Sequence, residues 1–351
     1  MEKKYDLSII IPVYNGTKYL RNLTKNIYEI NSDIASAIEI VLINDGSNDD
    51  SDKVCREIVE KYNNLIGIQY IAKDNGGIAS ARQCGVECAN GKFITFMDQD
   101  DKLVKSYSSF LDLVNKDDID VMITQPSSSE KTIVSETETV KMIEEKDNLL
   151  LHMIGLRDFS NPFEPDVPYT IWNCIFKAEI IRRHNITFHR YISYEDDAIF
   201  LMENICKSKK IGYINQSYYF WNVHDDSESH KRKCIPEFYE GFKELREWVL
   251  NFAPELNLKY NKRFNCVLKN RIVMQTIYNA TEVNFKKYME YRRLVKELLR
   301  NESVNKSDYI GTRFENLLLF LSKCRMYLAV YLLNRFVFKY RFQMFPIIIY
   351  K

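Results

Sequence analysis

The sequence carries almost no surplus charge: 49 Lys and Arg face 48 Asp and Glu, a formal net charge of +1 over 351 residues. Binding of nucleic acid as a main activity is thereby excluded, because its footprint is a strong basic excess. Glycine, at 11, and proline, at 8, form no tract with serine, and 28% of residues are charged, which excludes fibrous and disordered chains. No apolar run reaches 18 residues, so no membrane-spanning helix is predicted. No CxxC pair occurs either. Cys55, Cys84, Cys88, Cys174, Cys206, Cys234, Cys266 and Cys324 are scattered, and the close pair Cys84 and Cys88 lacks the spacing of a zinc site or redox dithiol. They read as buried, reduced thiols. The opening Met-Glu-Lys-Lys-Tyr-Asp runs straight into a strand-like block without a signal-peptide core, which predicts a cytoplasmic protein.

What is present, 46% hydrophobic and 13% aromatic residues, suffices for a full core. Over the first 125 residues, short apolar runs (Leu7–Val13, Ile38–Asn44, Ile66–Ile71, Phe93–Asp98, Val121–Gln125) alternate with helical patterns (Lys18–Tyr28, Asp50–Tyr62, Ile78–Ala89). That alternation predicts an α/β fold with a mostly parallel sheet. Right-handed crossovers then bring the strand C-termini to one edge, where such sheets bind ligands. Four polar tips succeed the strands there: Tyr14-Asn15-Gly16, Asn44-Asp45-Gly46-Ser47, Lys73 to Gly77, and Asp98-Gln99-Asp100-Asp101. From about residue 126 to 230 the alternation fails, and irregular structure of that length points to a lid or binding segment. Beyond Pro236 the pattern turns helical, with Phe238–Phe252, Asn261–Tyr278, Phe285–Leu299 and Thr312–Phe338 as candidates.

Several tips carry chemistry. Asp98 and Asp100 place two carboxylates on the same side of an extended chain, suited to a hard cation such as Mg²⁺ or Mn²⁺ against a diphosphate, although acidic turns also simply end strands. Asp45 precedes Gly46 and can accept a base N–H or close a turn or helix cap. Asn75-Gly76-Gly77 opens a helix where N–H groups favour anions, with Arg82 a turn further as a cation for phosphate or a solvated side chain. Tyr194-Glu195-Asp196-Asp197 opens another helical run, as first-turn electrostatics or as a source of a general base. Trp172 fits either a sugar face or the core.

Taken in order, Ser8-Ile-Ile-Ile-Pro-Val-Tyr-Asn15, Ile43-Asn-Asp-Gly-Ser47 with Asp49, Asn75-Gly-Gly-Ile-Ala-Ser-Ala-Arg82 with Gly85, and Phe96-Met-Asp-Gln-Asp-Asp101 resemble the motif series of family 2 inverting glycosyltransferases of GT-A fold. Trp172-Asn-Cys-Ile-Phe-Lys177 and Tyr194-Glu-Asp-Asp197 extend the resemblance. It implies transfer of a sugar from a UDP-sugar to a hydroxyl with inversion, assisted by Mn²⁺ or Mg²⁺. It also implies a donor nucleotide site of Pro12, Tyr14, Asn15, Asp45, Asn75, Gly76, Arg82, Asp98 and Gln99, in which Asp45 accepts the uracil N3–H. Asp100, or Asp101 in its place, and His224 are the implied metal ligands. Asp196 is the implied base with Glu195 positioning it, and Trp172 and Asp197 lie on the acceptor side. Ser227, Ser229 and Lys231 are further candidates over the diphosphate.

The implied organisation is a GT-A catalytic domain over 1–230, with a nucleotide-binding half at 1–101 and an acceptor-binding half at 102–230, followed by a helical region at 231–351. The Gln-x-x-Arg-Trp motif of processive synthases is absent, and by analogy the acceptor is a glycan or lipid-linked saccharide of the cell surface. Residues 316–351 contain six Lys or Arg and no acid among aromatic and aliphatic residues. That composition suits the inner face of the cell membrane, a cap on the catalytic domain, or self-association into a homo-oligomer. The rival readings are a nucleotidyltransferase and a non-catalytic carbohydrate-binding scaffold that keeps the fold.

Overall fold

The computed structural model describes residues 5–30, 37–62, 67–103, 107–125, 127, 139–153, 170–188, 196–222 and 284–298, together with 317, 320–321, 324–333 and 336. Two compact units divide the chain: Met1–Met153 with Val167–Ser227, and Ile154–Asp166 with Glu228–Lys351.

In the first unit, strands β1 (Tyr5–Val13), β2 (Ile38–Asp45), β3 (Gly67–Lys73) and β4 (Gly91–Phe96) pair in parallel in the order β3-β2-β1-β4. Helices α1 (Thr17–Ile30), α2 (Ser51–Tyr62) and α3 (Ile78–Cys88) form the crossovers. β1 and β2 are near-continuous apolar runs, and Leu7 to Ile11 and Ile38 to Ile43 are buried almost throughout, as strands covered on both faces must be. One acid interrupts β2. Glu39, buried, accepts hydrogen bonds from Ser8 Oγ of β1, Gln69 Nε2 of β3, and the Asn90 backbone N–H at the entrance to β4.

The sheet continues through a segment of mixed direction. After β5 (Lys102–Leu103) and α4 (Tyr107–Lys116) come β6 (Val121–Thr124), β7 (Lys141–Met142), α5 (Lys146–Met153) and β8 (Cys174–Lys177). Next in the chain are α6 (Ala178–His184), α7 (Asp196–Lys207), β9 (Ile211–Ile214) and β10 (Tyr219–Phe220). β8 lies antiparallel between β4 and β6, giving eight strands in the order β3-β2-β1-β4-β8-β6-β9-β7, while β10 pairs with β5. The expected irregularity after residue 126 therefore does not hold for 174–184 and 196–214. The strands there, β8 and β9, have four residues each, too few for a periodic signal.

In the second unit, the predicted helix at Phe285–Leu299 is present as α8 (Phe285–Leu298). The candidates at Phe238–Phe252 and Asn261–Tyr278 lie outside the described residues. Residues 327–333 are helical and pack Tyr331 against Tyr288 of α8, ring centroids 5.6 Å apart, while Arg292 sits over the Tyr327 ring at 3.2 Å. Among the described residues no helix is long and apolar enough to cross a membrane.

Candidate active site

The strand tips meet at one edge, bound by side chains from neighbouring tips. Asn15, held at φ 48°, accepts from the Asn48 N–H and donates its own N–H to Ser47 Oγ. Asp49 binds Thr17 through one carboxylate oxygen and the Ser51 N–H through the other, so it fastens α1 and α2 together. Pro12 lies in β1 opposite Ile43. Tyr14, half-exposed, exchanges backbone hydrogen bonds with the Gln99 amide: its N–H donates to Oε1 at 3.1 Å and its carbonyl accepts from Nε2 at 3.0 Å.

Asp45 is the most heavily tethered of the tips. It is buried, and its carboxylate accepts from Lys73 Nζ at 2.5 Å, the Gly76 N–H at 3.0 Å and the Gly77 N–H at 2.8 Å. The anion held at the entrance to α3 is thus a side chain of the protein itself. A carboxylate has about four lone-pair sites, so three donors leave one position open to a ligand N–H. Gly46 makes the approach possible: at φ 68° it occupies the left-handed region, and a Cβ there would meet the Asn75 N at 2.7 Å.

Arg82, on α3, joins the sheet edge to α7. Only 3% exposed, it donates to Asp98 Oδ1 at 3.3 Å and to Asp197 Oδ1, and its Nη1 lies 3.7 Å from Asp196 Oδ2. Burial opposes its charge, but Asp197, Asp98 and Asp196 together outweigh it and raise its pKa. Asp98 is pushed up by burial and by Asp100 and Asp196, with Arg82 opposing. The start of α7 is fixed by aromatic packing. Phe200, one turn in, stacks on Phe188 at 4.1 Å and meets Phe96, two residues before Asp98, edge-on at 5.5 Å. Asp196 is 6% exposed, and its Oδ2 receives no hydrogen bond.

Asp101 is held by the chain itself. It accepts from the Tyr219 hydroxyl at 2.5 Å and from the Asn222 N–H at 2.8 Å, while the Tyr219 oxygen accepts from the Asp98 N–H at 3.0 Å. Burial and Asp98 push its carboxyl up to about 8. With one hydrogen bond to each oxygen, Asp101 ties the acidic turn to the segment that carries β10. Tyr219 in turn stacks on Trp172 at 4.6 Å, and Trp221 lies 6.4 Å from the same indole. Asn173 fixes that segment, donating to the Thr124 carbonyl and accepting from Thr170 Oγ1 at 2.7 Å.

The structure therefore gathers Tyr14, Asp45, Asn75, Gly76, Asp98, Gln99 and Asp100 on the strand-end tips, and Arg82 of α3 joins Asp196 and Asp197 to Asp98. Glu195, His224, Ser227, Ser229 and Lys231 lie outside the described residues. Among those described, no group of three or more His, Cys, Asp or Glu is arranged to hold a metal. Sequence reading missed the Tyr219–Asp101 latch, the three-acid partnership of Arg82 and the tether of Lys73 to Asp45.

An open, mostly parallel sheet with an acidic turn after β4 and a buried acid at the head of α7 defines the GT-A fold. The sequence model of glycosyl transferase family 2 matches residues 8–169 of the chain. Minor teichoic acid biosynthesis protein GgaB of Bacillus subtilis is 26% identical over 316 residues, covering 84% of this chain and 32% of GgaB. The chain thus spans about a third of that relative's length, and less than two thirds of other curated relatives. Among solved structures, S. aureus TarS 1-349 in complex with UDP-GlcNAc superposes with a TM-score of 0.57 at 18% identity, covering 84% of this chain and 91% of that one. Mannosyltransferase PcManGT from Pyrobaculum calidifontis, in complex with GDP-Man and Mn²⁺, does so with a TM-score of 0.51 at 13% identity, covering 94% and 87%. At these identities the two structures bear on the fold.

Proposed function

We propose that the chain transfers one sugar, with inversion, from a UDP-sugar to a hydroxyl of a cell-surface glycan or lipid-linked saccharide, and that the first unit is its catalytic domain. The observation that carries this reading is Arg82, which binds Asp98 on the donor edge and draws in Asp196, whose Oδ2 has no donor. An inverting displacement needs a base on the acceptor side to take the hydroxyl proton as the oxygen attacks the anomeric carbon. Asp196 has the burial and the open acceptor oxygen for that task. Asp45, kept in place by Lys73 and two backbone N–H groups, presents its remaining lone pair to the uracil N3–H. Tyr14, Asn15, Asn75 and Gln99 complete the nucleotide cradle, and Trp172 and Asp197 stand on the acceptor side. UDP and teichoic-type acceptors are supported by the names of TarS and GgaB, and the same chemistry extends to dTDP.

Mn²⁺ or Mg²⁺ fits the residues present. Asp98 and Asp100 offer hard oxygen donors on one turn, and Asp98 is raised by burial and neighbouring carboxylates, a surplus of negative charge that a divalent cation relieves. Bound there, the cation would neutralise charge on the departing diphosphate. Too few protein ligands gather for a closed cage, as suits a metal completed by phosphate oxygens.

The test is a panel of UDP- and dTDP-sugars with and without Mn²⁺, scored by release of the diphosphate and by thermal stabilisation, on the native chain and on Asp196→Asn. Expected is metal-dependent turnover with one donor, lost in Asp196→Asn while UDP still stabilises the fold. An Asp196→Asn protein that keeps most of its turnover refutes the base assignment, and a folded chain that neither binds nor cleaves any donor refutes the transferase reading.

A further inference from the structure

The helix at 327–333 has two apolar faces, and packing accounts for one. Val330 and Tyr331 are buried, and Tyr331 meets Tyr288 and Phe285 of α8. On the other face Leu328 is 56% exposed and Leu332, one turn on, 54% exposed; Met326 just before the helix and Phe320 upstream, at 60%, are exposed as well. Single exposed hydrophobics are ordinary, but a run of them beside a packed face marks an interaction surface.

Charge identifies the occupant. From Asn316 to Lys351 the sequence holds Lys323, Arg325, Arg335, Lys339, Arg341 and Lys351 and no Asp or Glu, in a protein whose cations and acids balance at 49 and 48 over the whole chain. Arg325 is exposed beside the apolar residues. A second copy of the same segment would bring like charges together with no acid to pair them. An anionic bilayer surface supplies both what the apolar side chains seek and the counter-charge, and Phe and Tyr are the residues that settle at such an interface. We propose that this face of the C-terminal helix docks the protein on an anionic lipid surface, with Leu328 and Leu332 entering the headgroup boundary and Arg325 held at the phosphates. This deepens the functional reading, since it would bring the site to lipid-linked acceptors, but it stands on its own observations.

The experiment is co-sedimentation of the full chain with vesicles of phosphatidylcholine alone and with phosphatidylglycerol added, at low and high salt. The variants are Leu328→Glu with Leu332→Glu, and separately Arg325→Glu. Binding to the anionic vesicles is expected to exceed binding to neutral ones and to fall with salt. The double apolar variant should lose at least tenfold in partition and Arg325→Glu about fivefold or more, near the worth of one juxtamembrane cation. All changed residues are exposed, and thermal melts establish that the variants fold. Equal binding to both vesicle types, or unchanged partition in the double variant, overturns the proposal, as does a lipid-free dimer that the double variant dissociates. Donor cleavage measured in the same preparations separates this outcome from failure of the transferase reading, because docking can fail with cleavage intact and the reverse.

Discussion

Replacing Arg82 with Met tests whether one guanidinium holds the two sides of the site together. The arginine side chain is 4% exposed, and it faces Asp196 at 7%, Asp197 at 21% and Asp98 at 34%. Methionine fills much of the same volume, so the perturbation is chiefly electrostatic: three partly or wholly buried acids lose their cation. Removing one partner of a buried ion pair costs about 3–5 kcal/mol, because the other is left charged and desolvated. Since a domain of this size shifts by about 2–4 °C per kcal/mol, the melting temperature should fall by on the order of 10 °C. The loss has a pH signature. Burial already raises the Asp98 pKa, and Arg82 opposes that rise. Without Arg82 the folded-state pKa climbs further above the unfolded value of about 3.9. A raised acid contributes stability that is present at low pH and lost as pH rises through the folded pKa, so the variant's deficit should be larger at pH 8 than at pH 5. Thermal melts of both proteins at the two pH values measure it, and adding Asp197→Asn to the variant should recover part of the loss. A deficit of under about 1 kcal/mol, or one equal at both pH values, would show that the acids do not depend on this cation.

Three further outcomes are set by the geometry. Glu39→Ala removes the buried acceptor shared by Ser8 Oγ, Gln69 Nε2 and the Asn90 N–H and should lower stability by about 1–3 kcal/mol in denaturant titration, while leaving UDP affinity of the remaining folded protein unchanged. Gly46→Ala meets both a positive φ and the Asn75 N, whereas Gly77→Ala meets a positive φ alone with open space around it; the first should therefore cost more than the roughly 1–2 kcal/mol of the second and should weaken UDP binding by calorimetry. Burial pushes the Cys55 thiol up to about 12, so its share of stability is complete below about pH 9 and is lost as pH rises toward 12; Cys55→Ala should flatten that alkaline slope in melts between pH 9 and 11.

The first four strands were legible because each carries a whole apolar run closed by turn residues, and they lie within a residue or two of the expected limits. The β8 to β10 region was not, because strands of two to four residues in mixed directions give neither a period nor a crossover rule to go by. The site divides in the same way. Its polar tips could be read from the residues just past the end of each strand, but the partners that hold them are remote. Asp197 lies 115 positions from Arg82, and Tyr219 lies 118 from Asp101.

Counting donors around each acid then distinguishes environments that spacing leaves equivalent, and the proposed roles follow them. Asp101 stands beside Asp100 in the sequence and would suit a cation equally well by composition. One protein donor on each oxygen holds it against the segment that carries β10. Asp45 has three donors and is fixed in place, which suits an acid that reads a base by geometry and does not itself react. Asp196 has a buried oxygen with no donor, a costly arrangement in a finished core and a useful one where an incoming hydroxyl is to supply the missing proton. The same count makes the Tyr219–Asp101 latch a structural element of the acidic turn: Tyr219→Phe would remove the hydroxyl shared by Asp98 and Asp101 while leaving the Trp172 stack intact, and the loss should fall on the placement of Asp98 more than on the sheet.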